Sequence, residues 1–269
     1  MAINQKINKF YSKFNHLSKI HLFALLALVF LYNNSYALSL TYQFKYMFVD
    51  IAEVKISQST INSPNQKTVS SEINVKTSGV LKLFRDYQSK ILVTKTKNHT
   101  NYYLEGTDRG KEELKEITYD KNGYPKVILF RDDGNQTPIN IIETVDKSAV
   151  DPLSVLIGAI RKLKKEKTCN NEQNVYDGKR RYLAKIEKID EVLMKPDKTS
   201  TIKSKVIHCK IILYGYSEYE NIEKFNNDEK RWPFSGKRRV IDVWFIEGEY
   251  YPVKFEVNAP FGKIIGRIS

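Results

Sequence analysis

From Leu40 the chain alternates with period two. Leu40, Tyr42, Phe44, Tyr46 and Phe48 face one way, and Thr41, Gln43, Lys45 and Met47 the other, which is the pattern of a half-buried strand. After a break at Asp50, read as a bulge or a bend, Ala52, Val54 and Ile56 continue it. Further strand-like runs occupy 69–77, 87–96, 100–105, 114–119 and 124–130, separated by turn signals such as DKNG at 120–123 and DDGN at 132–135. Short strands at this spacing, divided by Gly, Asn and Asp, point to an antiparallel sheet or barrel.

One segment breaks the rule. DPLSVLIGAIRKLKKEK at 151–167 sets Leu153, Leu156, Ile157, Ile160 and Leu163 at helical spacing, with Asp151 as N-cap and Pro152 at the first helical position. Its last turns carry Arg161, Lys162, Lys164, Lys165 and Lys167, which complement the negative end of the helix dipole. The basic run therefore reads as a solvated helix end, and the apolar stripe is expected to pack on a sheet face.

Strand patterns return at 203–214, 240–247, 251–257 and 263–268, a closing meander joined by IEGEY and NAPFG. Pro252 stands near the start of its strand, where a missing N–H is tolerated. The stretch 218–239 is polar and turn-rich and reads as a long loop. Within it RWPFSGKRR sets Trp232 and Phe234 beside Arg231, Lys237, Arg238 and Arg239, a flap over a cavity or a plug over a barrel end.

Asp177-Gly178 is the dipeptide of a two-residue type I′ hairpin turn. Alternation after it puts Arg180, Tyr182, Ala184 and Ile186 on one face and Arg181, Leu183 and Lys185 on the other, so the basic run does not form one patch by adjacency alone. An anion site there needs Lys179 and Arg181 to meet basic groups from elsewhere, with Arg238 and Arg239 as candidates. The fold class is mainly β: an antiparallel curved sheet or open barrel-like meander with one amphipathic helix packed on it, preceded by a signal-peptide helix.

That leader comprises residues 1–37. It has no acidic side chain, carries Lys6, Lys9, Lys13 and Lys19, runs apolar over 22–32, and ends small-x-small at Ser35 and Ala37. These are the parts of a secretory signal. The apolar run falls short of the ~20 residues of a membrane span, and an uncleaved inner-membrane anchor is the alternative. Residues 38–269 then form one β-rich domain. The net charge of +13 falls to +9 without the leader's four lysines. In an exported, periplasmic protein that argues against nucleic acid and suits anionic headgroups or wall polymers.

Only Cys169 and Cys209 are present, both beyond the leader. In an oxidising compartment such a pair is most simply one disulfide. A metal pair lacks partners, because neither His99 nor His208 has ligand spacing to the cysteines. His208 beside Cys209 does not read as a nucleophile pair, since neighbours in a strand point to opposite faces. No nucleophile elbow, P-loop, zinc-helix motif or dinucleotide fingerprint appears, so neither catalytic residues nor a cofactor are assigned. Seventeen Tyr and thirteen Phe suit either an ordinary core or an aromatic-lined cavity.

Several motifs in order, DPLS at 151–154, VYDGKRRY at 175–182 after Cys169, Cys209 in the next long strand, VWF at 243–245, and YPVKFEV then FGKI over 251–264, resemble the bacterial exported family catalogued as domain of unknown function 3108. The resemblance spans 41–268. It departs from the family at VDIAEV, 49–54, where that family carries glycines. It implies a disulfide between the two cysteines and, since the family has no established activity, no functional residues. By fold analogy only, such proteins are similar to carriers of lipids and lipoproteins. The function expected is a periplasmic binding or carrier module for a hydrophobic or amphipathic envelope component, held in an apolar groove under the 151–167 helix. The alternatives are a structural or interaction protein with a solid core and basic partner-binding loops and, behind it, an envelope-polymer enzyme.

Overall fold

Alternation becomes pairing along most of the described residues. The computed structural model describes residues 38–63, 66–132, 135–136, 148–178, 181–196, 202–215, 239–259 and 262–269; the leader lies outside them. The strands are β1 (Leu38–Tyr46), β2 (Val49–Ser63), β3 (Gln66–Thr77), β4 (Tyr87–Lys95), β5 (His99–Asp108), β6 (Lys111–Asp120), β7 (Pro125–Asp132), β8 (Asn135–Gln136), β9 (Asn171–Tyr176), β10 (Arg181–Met194), β11 (Ser204–Gly215), β12 (Arg239–Ile246), β13 (Pro252–Ala259) and β14 (Gly262–Ile268). Two helices interrupt them, α1 (Gly79–Phe84) and α2 (Pro152–Glu166).

All the strands join one antiparallel sheet in the order β8-β7-β6-β5-β4-β3-β2-β1-β14-β13-β12-β11-β10-β9. Each half of the chain is a meander, and β1 pairs β14 to fuse the halves. The sheet curls until its two edges nearly meet, giving a barrel-like form. A short segment bridges the gap: Ala149 N–H donates to the Gly123 carbonyl in the β6–β7 turn (2.8 Å), Val150 N–H donates to Asn174 of β9 (2.8 Å), and Tyr176 N–H returns to Val150 (3.0 Å). The Tyr119 hydroxyl donates to the Tyr176 carbonyl at 2.7 Å across the same seam. These bonds satisfy backbone groups that an open edge would leave exposed.

Helix α2 occupies the inside of the curl. Its N-cap Asp151, 1 % exposed, accepts the Ser154 N–H at 2.9 Å and the Ser154 hydroxyl. Its C-cap Lys167 is left-handed (φ 58°) and returns its N–H to Leu163, and the Lys167 ammonium reaches the Tyr250 hydroxyl at 2.6 Å. The apolar stripe packs on a sheet face as expected, and the curl of the single sheet brings that face to it on two sides. Leu153 and Ile157 pack with Val93, Tyr102, Leu104 and Ile117 of β4–β6. Val155, Ala159 and Leu163 pack with Ala184, Ile186, Ile207, Val243 and Phe245 of β10–β12. A helix inside a curled sheet meets wall on two sides, so its apolar arc is wider than a single stripe. Cys169 and Cys209, both fully buried, are disulfide-bonded with Cα atoms 6.5 Å apart, tying the residues after α2 to β11.

Two local readings change. The bulge expected near Asp50 is present, with the register slipping at Ile51 between the pairs Phe44–Ala52 and Lys45–Asp50, but a hairpin stands just before it: β1 ends at Tyr46, Met47 takes a left-handed φ of 56°, and β2 begins at Val49. Phe48 therefore stands 96 % exposed at the tip, outside the aromatic face assigned to it. Asp177-Gly178 is not a two-residue turn, because Tyr176 pairs with Arg181 and four residues make the connection. Gly178 (φ 88°) lies so close to Ile117 that an added Cβ would come within 3.0 Å of its side chain; packing on β6, rather than hairpin economy, sets this loop.

Reducing the disulfide, or replacing both cysteines by Ala, should cost about 4 kcal/mol, the loop-closure value for the 40-residue separation, measured by denaturant unfolding with and without reductant. Asp151→Ala should cost about 1–2 kcal/mol and Asp151→Asn much less, since Asn caps as well as Asp. Burial lifts the Asp151 carboxyl above its ordinary 3.8, against the opposing Ser154 hydrogen bonds. The folded state thus holds that proton more tightly, so its contribution is complete below the unfolded value and is lost as pH rises through the folded one. Asp151→Asn should flatten that part of the stability–pH profile.

Candidate functional site

The inner face is packed by side chains. Ala159 and Leu163 of α2 and both cysteines are 0 % exposed, so the space beneath the helix, where an apolar groove was expected, is filled by α2 itself. The aromatic face of β1 is also in use: Tyr42 donates its hydroxyl to the Pro252 carbonyl at 2.7 Å and meets Phe255 edge-on at 5.3 Å, while Phe44 stacks on Phe255. Phe44 lies flat over Gly266, where an added Cβ would overlap its ring at 2.4 Å. Burial pushes the phenols of Tyr42, Tyr102 and Tyr119 well up, and Tyr42 and Tyr119 donate their hydroxyls to backbone carbonyls.

The outer face carries the charged groups. Directly paired residues of neighbouring strands share a face, and the registers link one row round the outside: Asp190, His208, Trp244, Lys254, Arg267, Gln43, Glu53, Lys76, Gln88, Thr107 and Glu112. At one end of this belt His208 bridges two acids, with Nε2 at 2.8 Å from Asp242 and Nδ1 at 3.3 Å from Asp190. Its ring stacks on Trp244 at 4.5 Å, and Lys254 sits 4.0 Å from the centre of the same indole while pairing Glu256 at 2.9 Å. Towards the other end the belt dips into an open trough of about 740 Å³ across β2–β6. There Glu53 binds Lys76 at 3.0 Å and Gln43 at 3.0 Å, with Lys55 at 3.7 Å. Lys90 pairs Glu72, and Tyr103 donates to Glu105.

Chemically this belt offers cations, acceptors and one indole to a partner lying along the outside. The named partners of His208 are two carboxylates and a ring, with no hydroxyl or thiol among them. Cys209 points inward into the disulfide, on the opposite face from His208. Among the described residues no group of three His, Cys, Asp or Glu side chains is arranged to hold a metal ion.

The residues singled out from sequence do not assemble into one described site. Lys179, Trp232, Phe234 and Arg238 lie outside the described residues. Arg181 opens β10 with its guanidinium 5.2 Å from the centre of the Tyr176 ring. Arg239 opens β12 opposite Leu213, which in turn pairs Ala184, so it stands two strands from β10 and level with Ala184 rather than Arg181. The belt went unnoticed because each strand contributes a single residue to it, and only the pairing registers reveal the row.

The hydrogen bond from Lys76 holds the Glu53 carboxyl below its ordinary 4.5, helped by Gln43 and the charge of Lys55. A carbon-detected NMR titration should show Glu53 ionised to lower pH than free glutamate, and Lys76→Met should return it towards the ordinary value. Because its folded value is depressed, its stabilising contribution is present above the unfolded value and is lost as pH falls through the folded one.

No family model matches the chain, and no curated protein matches it. Among solved structures, the crystal structure of a "beta-barrel-like protein of domain of unknown function DUF1849" from Brucella abortus is similar, with a TM-score of 0.48 and 8 % identity over 87 % of this chain and 95 % of that one. The resemblance to domain of unknown function 3108 is overturned, because no family model matches the chain. Its motifs have local causes, since DPLS is a helix cap, Asp-Gly a turn and YPVKFEV a closing strand.

Proposed function

We infer that this protein is a non-catalytic binding module of the bacterial cell envelope that meets an anionic envelope component on its outer surface. The observation that carries this reading is the packing of α2 on the concave face of the curled sheet, with Leu153 and Ile157 against one wall and Val155, Ala159 and Leu163 against the other, while the charged groups stand on the outer face. The excess of nine positive charges on 38–269 draws it towards anionic partners, and the outer belt presents Lys254, Arg267 and Lys76 to them. Export by residues 1–37 supplies the oxidising compartment in which the Cys169–Cys209 bond forms. Among the described residues no helix is long and apolar enough to cross a membrane.

The chain 38–269 contains every described strand and helix. Purified after export, it should carry no stoichiometric amphiphile by native mass spectrometry and solvent extraction, and should be retained on immobilised polyphosphate until salt releases it. A co-purifying lipid at one per chain would support the carrier instead. Passage through the polyphosphate column at low salt would refute an anionic partner.

A further inference from the structure

At one end of the barrel the residues flanking α2 meet the β6–β7 turn at Gly123 and the β12–β13 turn at Tyr250. Among the described residues the opposite rim comprises the β1–β2 tip, α1, the β5–β6 turn and Gly262 at the start of β14. Contacts join these into one continuous edge. Gly262 lies against the Met47 side chain, Gly79 against the Asp50 carbonyl, and Arg109 N–H donates to Asp86 just beyond α1.

This rim carries large apolar side chains with almost no protein around them. Phe48 is 96 % exposed, Leu83 83 % and Met47 58 %, and Val49 adds to them. Their backbones are nonetheless fixed. Met47 holds a left-handed φ, Ser78 N–H is tied to Ile51 (2.9 Å), and Leu81 of α1 packs inward with Ile51, Phe44 and Tyr46, so that Leu83 points away. Exposed apolar groups clustered on one edge mark an interaction site. Lys45, Lys82, Arg85 and Lys263 belong to the same edge, where Lys45 pairs Asp50 at 3.4 Å, Arg85 pairs Asp108 at 2.8 Å and Lys263 pairs Glu256.

We propose that this rim inserts its apolar tips, Met47, Phe48, Val49 and Leu83, into the headgroup layer of an anionic bilayer, with the neighbouring lysines on the phosphates. The proposal rests on the reading of an anionic envelope partner and names that partner as a membrane surface. A side chain exposed on every side needs a partner that surrounds it. A fluid bilayer does so without a preformed pocket, whereas a rigid protein needs a socket for each tip. Apolar depth and basic attraction act together in such surface binding. Leu38 starts at the opposite end, about 30 Å along β1 from the tip, so this contact is separate from any tether through the leader.

The test is sedimentation of 38–269 with phosphatidylglycerol-containing vesicles and with pure phosphatidylcholine vesicles, using wild type, the pair F48E/L83E and the pair K45E/K82E, with thermal unfolding to confirm that each variant folds. Wild type should sediment with the anionic vesicles. F48E/L83E should lose at least about tenfold in partitioning while keeping its retention on polyphosphate. K45E/K82E should weaken binding in a salt-dependent way. A further variant, Phe48→Trp, should show blue-shifted emission, relative to the parent, that brominated lipids quench. Vesicle binding of F48E/L83E within twofold of wild type, or unshifted emission from the F48W variant at saturating lipid, would overturn insertion of the rim. Retention on polyphosphate without vesicle binding would overturn the rim proposal alone, and the absence of both would overturn the anionic partner as well.

Discussion

A curled sheet must fill its concave side, and in this chain the filling depends on holding both ends of one helix. Asp151 fixes the start of α2 through Ser154, while the left-handed Lys167 and the Cys169–Cys209 bond fix the residues just past its end. Between these anchors α2 presents Leu153 and Ile157 to one wall and Val155, Ala159 and Leu163 to the other. The same segment closes the seam, because residues 149 and 150 immediately before the cap hydrogen-bond to the β6–β7 turn on one side and to β9 on the other. Cap, seam and helix are consecutive in sequence, so displacing one strains the others.

That arrangement divides the labour between the faces. With α2 packed on the concave face, Tyr42 and Tyr119 serve as buried donors and Tyr102 as a packing surface. Polar groups gather on the outside, where alternation obliges every strand to place them. Those groups are mostly satisfied by one another. Glu53 is held by Lys76 and Gln43, His208 by Asp190 and Asp242, and Glu256 by Lys254 and Lys263. Glu53, His208 and Glu256 are largely shielded within these pairs, and Lys76, Asp190 and Lys263 are their exposed ends. The apolar rim differs in kind, since Phe48 and Leu83 have no partner group to give up and gain only by burial.

Much of the fold was legible in the chain because its cause is local. Period-two alternation located the strands of both meanders, and the Asp151-Pro152 start with i, i+3, i+4 spacing located α2. The misreadings share one origin. Phe48 continues the alternation of Phe44 and Tyr46, yet the reversal at Met47 removes it from that face. Asp177-Gly178 has the composition of a tight turn, yet the close fit of Gly178 on Ile117 widens it. Helix α1 is six residues long, too short for its period to register.

The fold class, the position of the long helix, the excess of positive charge and the presence of two cysteines with no rival partners are all written in the linear chain, since each is a property of sequence neighbours or of totals. Three-dimensional packing was needed to establish that α2 fills the sheet, that His208, Trp244, Lys254, Glu53 and Lys76 share one belt, and that Met47, Phe48, Val49 and Leu83 share one rim. Those outcomes depend on register and curl. A shift of one residue in any strand pairing would turn its side chains to the other face, and nothing in the local pattern of a strand records which partner residue it will face.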